Sequence, residues 1–408
     1  MSKEIEVYNT YFGECIVLKE KKDNSNLLVD FGIHYFSDVS IVYGNRSDLT
    51  RAIADDICVR YSKKNISLLI TYFHEDHISG LIHMYNSGQC KYKDIFKNIY
   101  IANIWNNPFA VASNILEELL LEIEMRMSGL PRTSANLFDL LFFLSQSISK
   151  ITLLSRGKTF ENEKYITLWP VDEVHENHVS EIINGLHLPV DFEGKLIALS
   201  EIVCIFVTRE LMGNQRVFEY HDEGNDKIYT GEVNIEQRIE DMRVVYRSLL
   251  EDIIDNTMEN EQNISGQIRK LNKLNHEYNV VFQNKVSGDE YVLFTGDIEV
   301  SHMQKVESAL DIKLHKQFKY IKVPHHGTKQ HYFDYSKYNP QNIIISNGKV
   351  NTKNSTSYKI CVDYGTLTAT YLCTNSNNCC NCTNTCTTAK SGCAKKRTLV
   401  YDKLYKTI

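Results

Sequence analysis

The apolar positions of this chain change period several times, and those changes divide it. Residues 4 to 33 alternate and then run apolar, from Glu6-Val-Tyr to Cys15-Ile-Val-Leu, across a charged turn at 19–26, to Leu27-Leu-Val-Asp-Phe-Gly. Period-two alternation broken by turn residues predicts a β-hairpin whose second strand runs out at Asp30. A further apolar run, Leu68-Leu-Ile, ends abruptly in Thr-Tyr-Phe-His-Glu-Asp-His, and Asn98 to Trp105 reads as another short strand. From Pro108 to about Ser149 the spacing becomes helical, with room for two or three helices. Strand character returns over 151–170, where Ile166-Thr-Leu-Trp is stopped by Pro170.

From Val174 to Lys273 the chain leaves this pattern again. Within 235–274, Ile239, Met242, Val245, Leu249, Ile253 and Met258 recur at helical spacing with charges between them. That predicts a long amphipathic helix or a helical hairpin, whose apolar face suits either its own domain or a homodimer or protein partner. Strands resume at Asn279-Val-Val-Phe-Gln and at Glu290 to Asp297, followed by a helix through Leu310; Phe318 to Gly327, Asn342 to Ser346 and Leu367 to Leu372 complete the set. Strands interleaved with helices, without a repeat of fixed period, make the class α/β.

The 408 residues are 43% hydrophobic with 11% aromatics, enough for one large core or two modest ones. A net charge of −6 argues against a broad basic nucleic-acid footprint. The N-terminus runs straight into an alternating strand without a secretion pattern, and the nearest thing to a membrane span, Leu137 to Leu144, is broken by Asp139. The expectation is a soluble, cytoplasmic chain with no membrane association.

Three apolar strands end in residues that can bind metal: His74, Asp76 and His77 after the first, Asp297 after the second, His325 and His326 after the third. Side chains just beyond buried strands sit on turns where several converge on one point. Imidazole with carboxylate suits zinc, manganese or iron(II). If the strands lie side by side, the ligands line one sheet edge, where open catalytic sites are found.

On these residues the chain resembles the metallo-beta-lactamase superfamily, whose His-x-His-x-Asp-His is matched, apart from its first histidine, by Tyr72-Phe-His-Glu-Asp-His77. Within it the likeness is to the soluble hydrolase domain of bacterial DNA-uptake (competence) proteins, through Gly13-Glu-Cys-Ile-Val-Leu, Leu28-Val-Asp-Phe-Gly, Leu168-Trp-Pro, Leu293-Phe-Thr-Gly-Asp and Lys322-Val-Pro-His-His-Gly-Thr. The resemblance implies an αββα sandwich over 1–372, with its core in 1–105, 150–172 and 275–372. Helical insertions would fill 106–149 and 173–274, and a cysteine-rich loop at 373–393 and a terminal strand at 394–408 would follow.

It further implies one or two zinc ions, or manganese, at the sheet edges. Asp76, His77 and His325 would hold one metal, Asp297 would bridge, and His74 would serve the other together with His276, which precedes Asp297 by 21 residues. His175 and His178 are alternatives to His276. His326 would donate a proton or contact phosphate, Asp76 would act in catalysis as well as ligation, and Asp30 would orient the ligand loop. Tyr72 departs from the pattern, since a neutral phenol with a pKa of about 10 is a poor zinc ligand at neutral pH.

Cys15, Cys58, Cys90 and Cys204 read as small buried apolar groups. Cys373, Cys379, Cys380, Cys382, Cys386 and Cys393 lie among Asn, Thr, Ser and Lys, a composition with almost nothing to bury. A structural zinc site, a redox or metal-responsive loop, and a disordered insertion in the last hairpin all fit that stretch.

The function expected is a metal-dependent phosphodiesterase or nuclease acting on nucleic acid or a nucleotide. The same site could serve an ester, thioester or lactone hydrolase. A degenerate-site sensor or assembly protein working through its helical insertion is the reading from a different class.

Overall fold

The computed structural model describes residues 3–20, 25–34, 45–61, 65–86, 95–129, 137–147, 149–172, 179–212, 217–222, 227–232, 234–257, 261–285, 291–347, 363–364, 367, 369–374, 396–398 and 405–407. They fall into two compact units: Met1–Asn103 with Thr152–Asp172 and His276–Ile408, and Ile104–Ile151 with Glu173–Asn275.

The first unit carries two mixed sheets. One contains β1 (Lys3–Tyr8), β2 (Ile16–Glu20), β3 (Ser25–Val29), β4 (Ile66–Ile70), β5 (Phe96–Ala102) and β6 (Lys150–Leu154), in that order, with the C-terminal β17 (Tyr405–Thr407) on the outer edge of β1. The predicted hairpin is therefore three strands. The chain turns between β1 and β2 at Tyr11, which has φ 56°, so the alternation of residues 4 to 18 spans a bend that hydropathy alone does not mark.

The second sheet begins with β7 (Thr159–Phe160) and β8 (Tyr165–Trp169). After the β9 (Val217–Asp222) and β10 (Lys227–Glu232) hairpin of the other unit, it continues through β11 (Val281–Asn284), β12 (Val292–Phe294), β13 (Tyr320–Lys322), β14 (Asn342–Ile345), β15 (Thr370–Cys373) and β16 (Lys396–Thr398). Strands β3, β4 and β5 run parallel, as do β12 to β16. Every residue of β4 and β13 is buried, as strands in parallel surroundings should be.

Aromatic side chains join the two sheets. Tyr100 of β5 lies 5.1 Å from Phe160 of β7, which lies 5.4 Å from Phe282 of β11, and Phe282 stacks on Phe294. The Val280 amide also donates to the Thr71 carbonyl just beyond β4. This contact draws the end of β4 towards the start of β11. Helices α1 (Arg46–Arg60), whose first turn is capped by the Asn45 side chain, and α2 (Glu75–Asn86) complete the N-terminal part of the unit.

The second unit is mostly helical: α3 (Pro108–Met127), α4 (Leu137–Gln146), α5 (Val179–Leu186), α6 (Phe192–Ile205), α7 (Ile235–Thr257) and α8 (Glu261–Asn275). Asn275 ties α8 to α3 by accepting from the Ser113 hydroxyl and donating to Glu117. Two helical segments far apart in sequence thus form one body. Ile239, Met242, Leu249 and Ile253, on the amphipathic face predicted for 235–274, are buried, and the segment contains two helices, α7 and α8, rather than one. No described helix is long and apolar enough to cross a membrane.

Candidate metal centre

The site lies in the first unit, where parallel strands run out. After β3, Asp30 adopts φ 56°, a left-handed conformation that a short polar side chain tolerates. The chain then crosses the start of α2 at Gly32 so closely that a Cβ there would lie 2.3 Å from the Asp76 carbonyl carbon. Three backbones are layered here: Glu14 N donates to Asp76 O at 2.9 Å, Gly32 N to Glu14 O at 2.9 Å and Phe31 N to His77 O at 2.8 Å. Gly32→Ala is expected to lower unfolding stability by about 3 kcal/mol, because the obstacle is backbone rather than a yielding side chain. Denaturant titration reads this directly, and a loss below about 1 kcal/mol would mean that the crossing can open.

His77 is fully buried. Its Nδ1 lies 2.9 Å from Asp30 Oδ2, while Asp30 also accepts from the Thr71 amide at 2.7 Å and the Thr71 hydroxyl at 2.5 Å. Those bonds leave His77 Nε2 facing Asp297 Oδ2 at 3.3 Å and Asp76 Oδ2 at 3.7 Å. Burial would lower the His77 pKa, but Asp76, Asp30 and Asp297 outweigh it and raise it well above the ordinary imidazole value. Burial likewise opposes ionisation of Asp76 and Asp297, yet the surrounding histidines hold both carboxyls below their usual range. Asp30→Asn removes the charge that orients His77 and is expected to weaken metal affinity about 10–100-fold. Competition with a chelator of known affinity measures it; an unchanged affinity would deny Asp30 its orienting role.

The adjacent histidines after β13 diverge. Both adopt left-handed backbone, His325 at φ 46° and His326 at φ 56°, and their rings stand 5.7 Å apart. His326 Nδ1 donates to the Ser346 carbonyl at 2.6 Å, and its Nε2 lies 2.9 Å from Asp76 Oδ2. His325 Nδ1 instead lies 3.7 Å from Asp297 Oδ2. The structure thus sets His326, not His325, beside Asp76. His326 is fully buried with both ring nitrogens engaged, one by the Ser346 carbonyl and one by Asp76.

Asp297 is held by its own amide, which donates to Asn279 Oδ1 at 2.8 Å, and it accepts from the His325 amide at 2.9 Å. Its carboxylate belongs to two groups of ligand atoms lying within 4.8 Å of one another, Asp76–His77–Asp297 and His276–Asp297–His325. His276–Glu299–His331 is a third such group. Glu299 Oε1 lies 3.1 Å from both His276 Nδ1 and His331 Nε2, and His331 Nδ1 lies 3.0 Å from the Thr328 hydroxyl. Burial pushes His276 down and His325 well down, towards the neutral form that ligates metal.

His74 joins this assembly differently. Its Nε2 lies 2.7 Å from the Tyr72 hydroxyl, and its ring is 4.0 Å from the buried Tyr72 ring and 5.8 Å from that of His276. Glu75, between the two motif residues, pairs with Arg46 at 2.5 Å.

Behind His326, Glu14 and Lys322 form a buried ion pair at 2.5 Å, and the Ser346 hydroxyl donates to Glu14 at 2.8 Å. Glu14, Lys322, Glu299, His331 and Asn279 are not among the residues singled out from sequence. Glu299 two residues after Asp297, and His331 within His-His-Gly-Thr-Lys-Gln-His, are the signals that could have found two of them. His175, His178 and the cysteines from Cys379 to Cys393 lie outside the described residues, and Cys373 ends β15.

The donor set fits a divalent cation: imidazole nitrogens and carboxylates converge, each of His77 and His326 has one ring nitrogen engaged behind it, and two buried ring nitrogens, His276 Nε2 and His325 Nδ1, have no hydrogen-bond partner among the described residues. Comparison of the chain with models of known protein families and with curated proteins finds no match.

Proposed function

We propose that this chain is a metal-dependent hydrolase of phosphodiesters, built on a metallo-beta-lactamase type of sandwich, with nucleic acid or a nucleotide as substrate. The observation that carries the reading is the convergence of Asp76, His77, Asp297 and His326 from the ends of β4, β12 and β13. Ligands brought from separate strands to the carboxyl ends of parallel runs form an open-edged site of the kind on which hydrolases rely. A divalent ion, when bound, acidifies a coordinated water and polarises a substrate oxygen.

The residues themselves supply the rest. Asp30 keeps His77 in the Nδ1-protonated form, and the Ser346 carbonyl does the same for His326. Asp76 and Asp297 concentrate negative charge at one point, which favours a cation there over a neutral occupant. The phosphodiester part rests on the resemblance carried by Lys322-Val-Pro-His-His-Gly-Thr.

The test assays metal-loaded protein against an activated phosphodiester, single- and double-stranded DNA, RNA, nucleotides, and a panel of esters, thioesters and lactones, beside His77→Ala. Phosphodiester cleavage that is lost on chelation and in His77→Ala is the expected result. Turnover confined to the ester panel would overturn the substrate assignment, and no turnover by fully loaded protein would overturn the hydrolase.

A further inference from the structure

His276 and His325 each bury a ring nitrogen without a hydrogen bond, although polar groups surround them. For His276 the other nitrogen, Nδ1, faces Glu299 Oε1 at 3.1 Å. A carboxylate only accepts, so Nδ1 carries the proton and Nε2 is left with a lone pair, on a side chain 2% exposed. His325 Nδ1 is a second buried ring nitrogen without a hydrogen-bond partner, with Asp297 Oδ2 at 3.7 Å as its near neighbour. A buried polar atom left unpaired is destabilising, and here two such ring nitrogens belong with a carboxylate to one group of ligand atoms within 4.8 Å. Two imidazoles and a carboxylate, with His325 partly exposed, make up a donor set that suits zinc or manganese.

The position that the family resemblance implies for a second ion runs through His74. In this chain the Tyr72 hydroxyl sits 2.7 Å from His74 Nε2, the two rings pack at 4.0 Å, and His74 belongs to none of the groups of ligand atoms lying within 4.8 Å of one another among the described residues. We propose that the second divalent cation is held by His276 Nε2, His325 Nδ1 and Asp297, with Glu299 as the positioning residue that fixes His276, and not by His74. This deepens the hydrolase reading and rests on it. Asp297 is then the ligand common to both positions. Glu299 repeats for His276 what Asp30 does for His77, a carboxylate behind the ring that sets which nitrogen is bare. Its second bond, to His331 Nε2 at 3.1 Å, holds the carboxylate in place.

The experiment is metal stoichiometry by elemental analysis on the full chain, equilibrated with excess Zn²⁺ and separately with Mn²⁺ and then dialysed. Wild type is compared with His74→Ala, His276→Gln, His325→Gln and Glu299→Gln, each checked by thermal melting followed by circular dichroism. Wild type and His74→Ala are expected to retain about two ions per chain, and His276→Gln and His325→Gln about one. Glu299→Gln is expected to weaken the second ion about 10–100-fold. If His276→Gln melts early, His325→Gln and Glu299→Gln carry the comparison, since the first is only partly buried and the second keeps its shape. A second ion lost in His74→Ala and kept in His325→Gln overturns the proposal. So does a wild type that saturates at one ion lost in His77→Ala, a result that leaves the hydrolase reading intact; a wild type that binds no ion removes both.

Discussion

For the phosphodiesterase proposed above, Asp297→Asn is expected to cut turnover by about 10³-fold or more while leaving the fold intact. The asparagine oxygen still accepts the His325 amide bond that Asp297 Oδ1 accepts at 2.9 Å, so the backbone after β13 keeps its anchor. What disappears is the charge shared by two groups of ligands, Asp76–His77–Asp297 and His276–Asp297–His325. Several kcal/mol of charge stabilisation depend on a bound cation, and that sum corresponds to about three orders of magnitude in rate. Asp297→Ala removes the anchor as well and should add a loss of stability. Turnover within tenfold of wild type in the asparagine variant, with metal content unchanged, would mean that Asp297 is not a shared ligand.

Lys322→Met should unfold the protein about 3–5 kcal/mol more easily, the cost of leaving a buried charge without its partner. Lys322 and Glu14 pair at 2.5 Å with both side chains under 5% exposed. Burial already pushes the Glu14 carboxyl up, and Lys322 is the largest influence holding it down. Without the lysine the largest influence opposing burial is gone, which pushes the Glu14 carboxyl further up beside the Ser346 hydroxyl. Because Ser346 also accepts from His326 at 2.6 Å, the loss should extend to metal affinity. The double variant Glu14→Gln with Lys322→Met should recover most of the stability, since no charge is then stranded. Denaturant midpoints of the two singles and the double give the coupling, and singles within about 1 kcal/mol of wild type would show that water reaches the pair.

The strand ends were legible because a buried parallel strand is a run of apolar residues and its end is marked by the first polar side chains. Ile66 to Ile70 leading to His74, Asp76 and His77, and Tyr320 to Lys322 leading to His325 and His326, are of that kind. Which of two adjacent histidines faces which carboxylate was not legible, because it depends on two left-handed residues in succession at a turn. Lys322 is hidden for another reason. In Phe-Lys-Tyr-Ile-Lys-Val it takes an alternate position like any lysine on a solvated strand face, and only the arrival of Glu14, more than three hundred residues earlier, makes it a buried one. Glu299 and His331 likewise acquire meaning only through His276. The union of two distant helical segments into one unit is a long-range outcome of the same sort: each amphipathic pattern announces a face to be buried, and neither names what buries it.

The bond between His326 and Asp76 spans 250 positions of the chain, and the one between His77 and Asp297 spans 220. On the ribosome, Asp76 and His77 emerge long before their counterparts exist. Closing loops of such length is slow and comes late in folding. A tight cation pocket therefore cannot seed this architecture; it is a certificate of completion, available only to chains whose two sheets have already met.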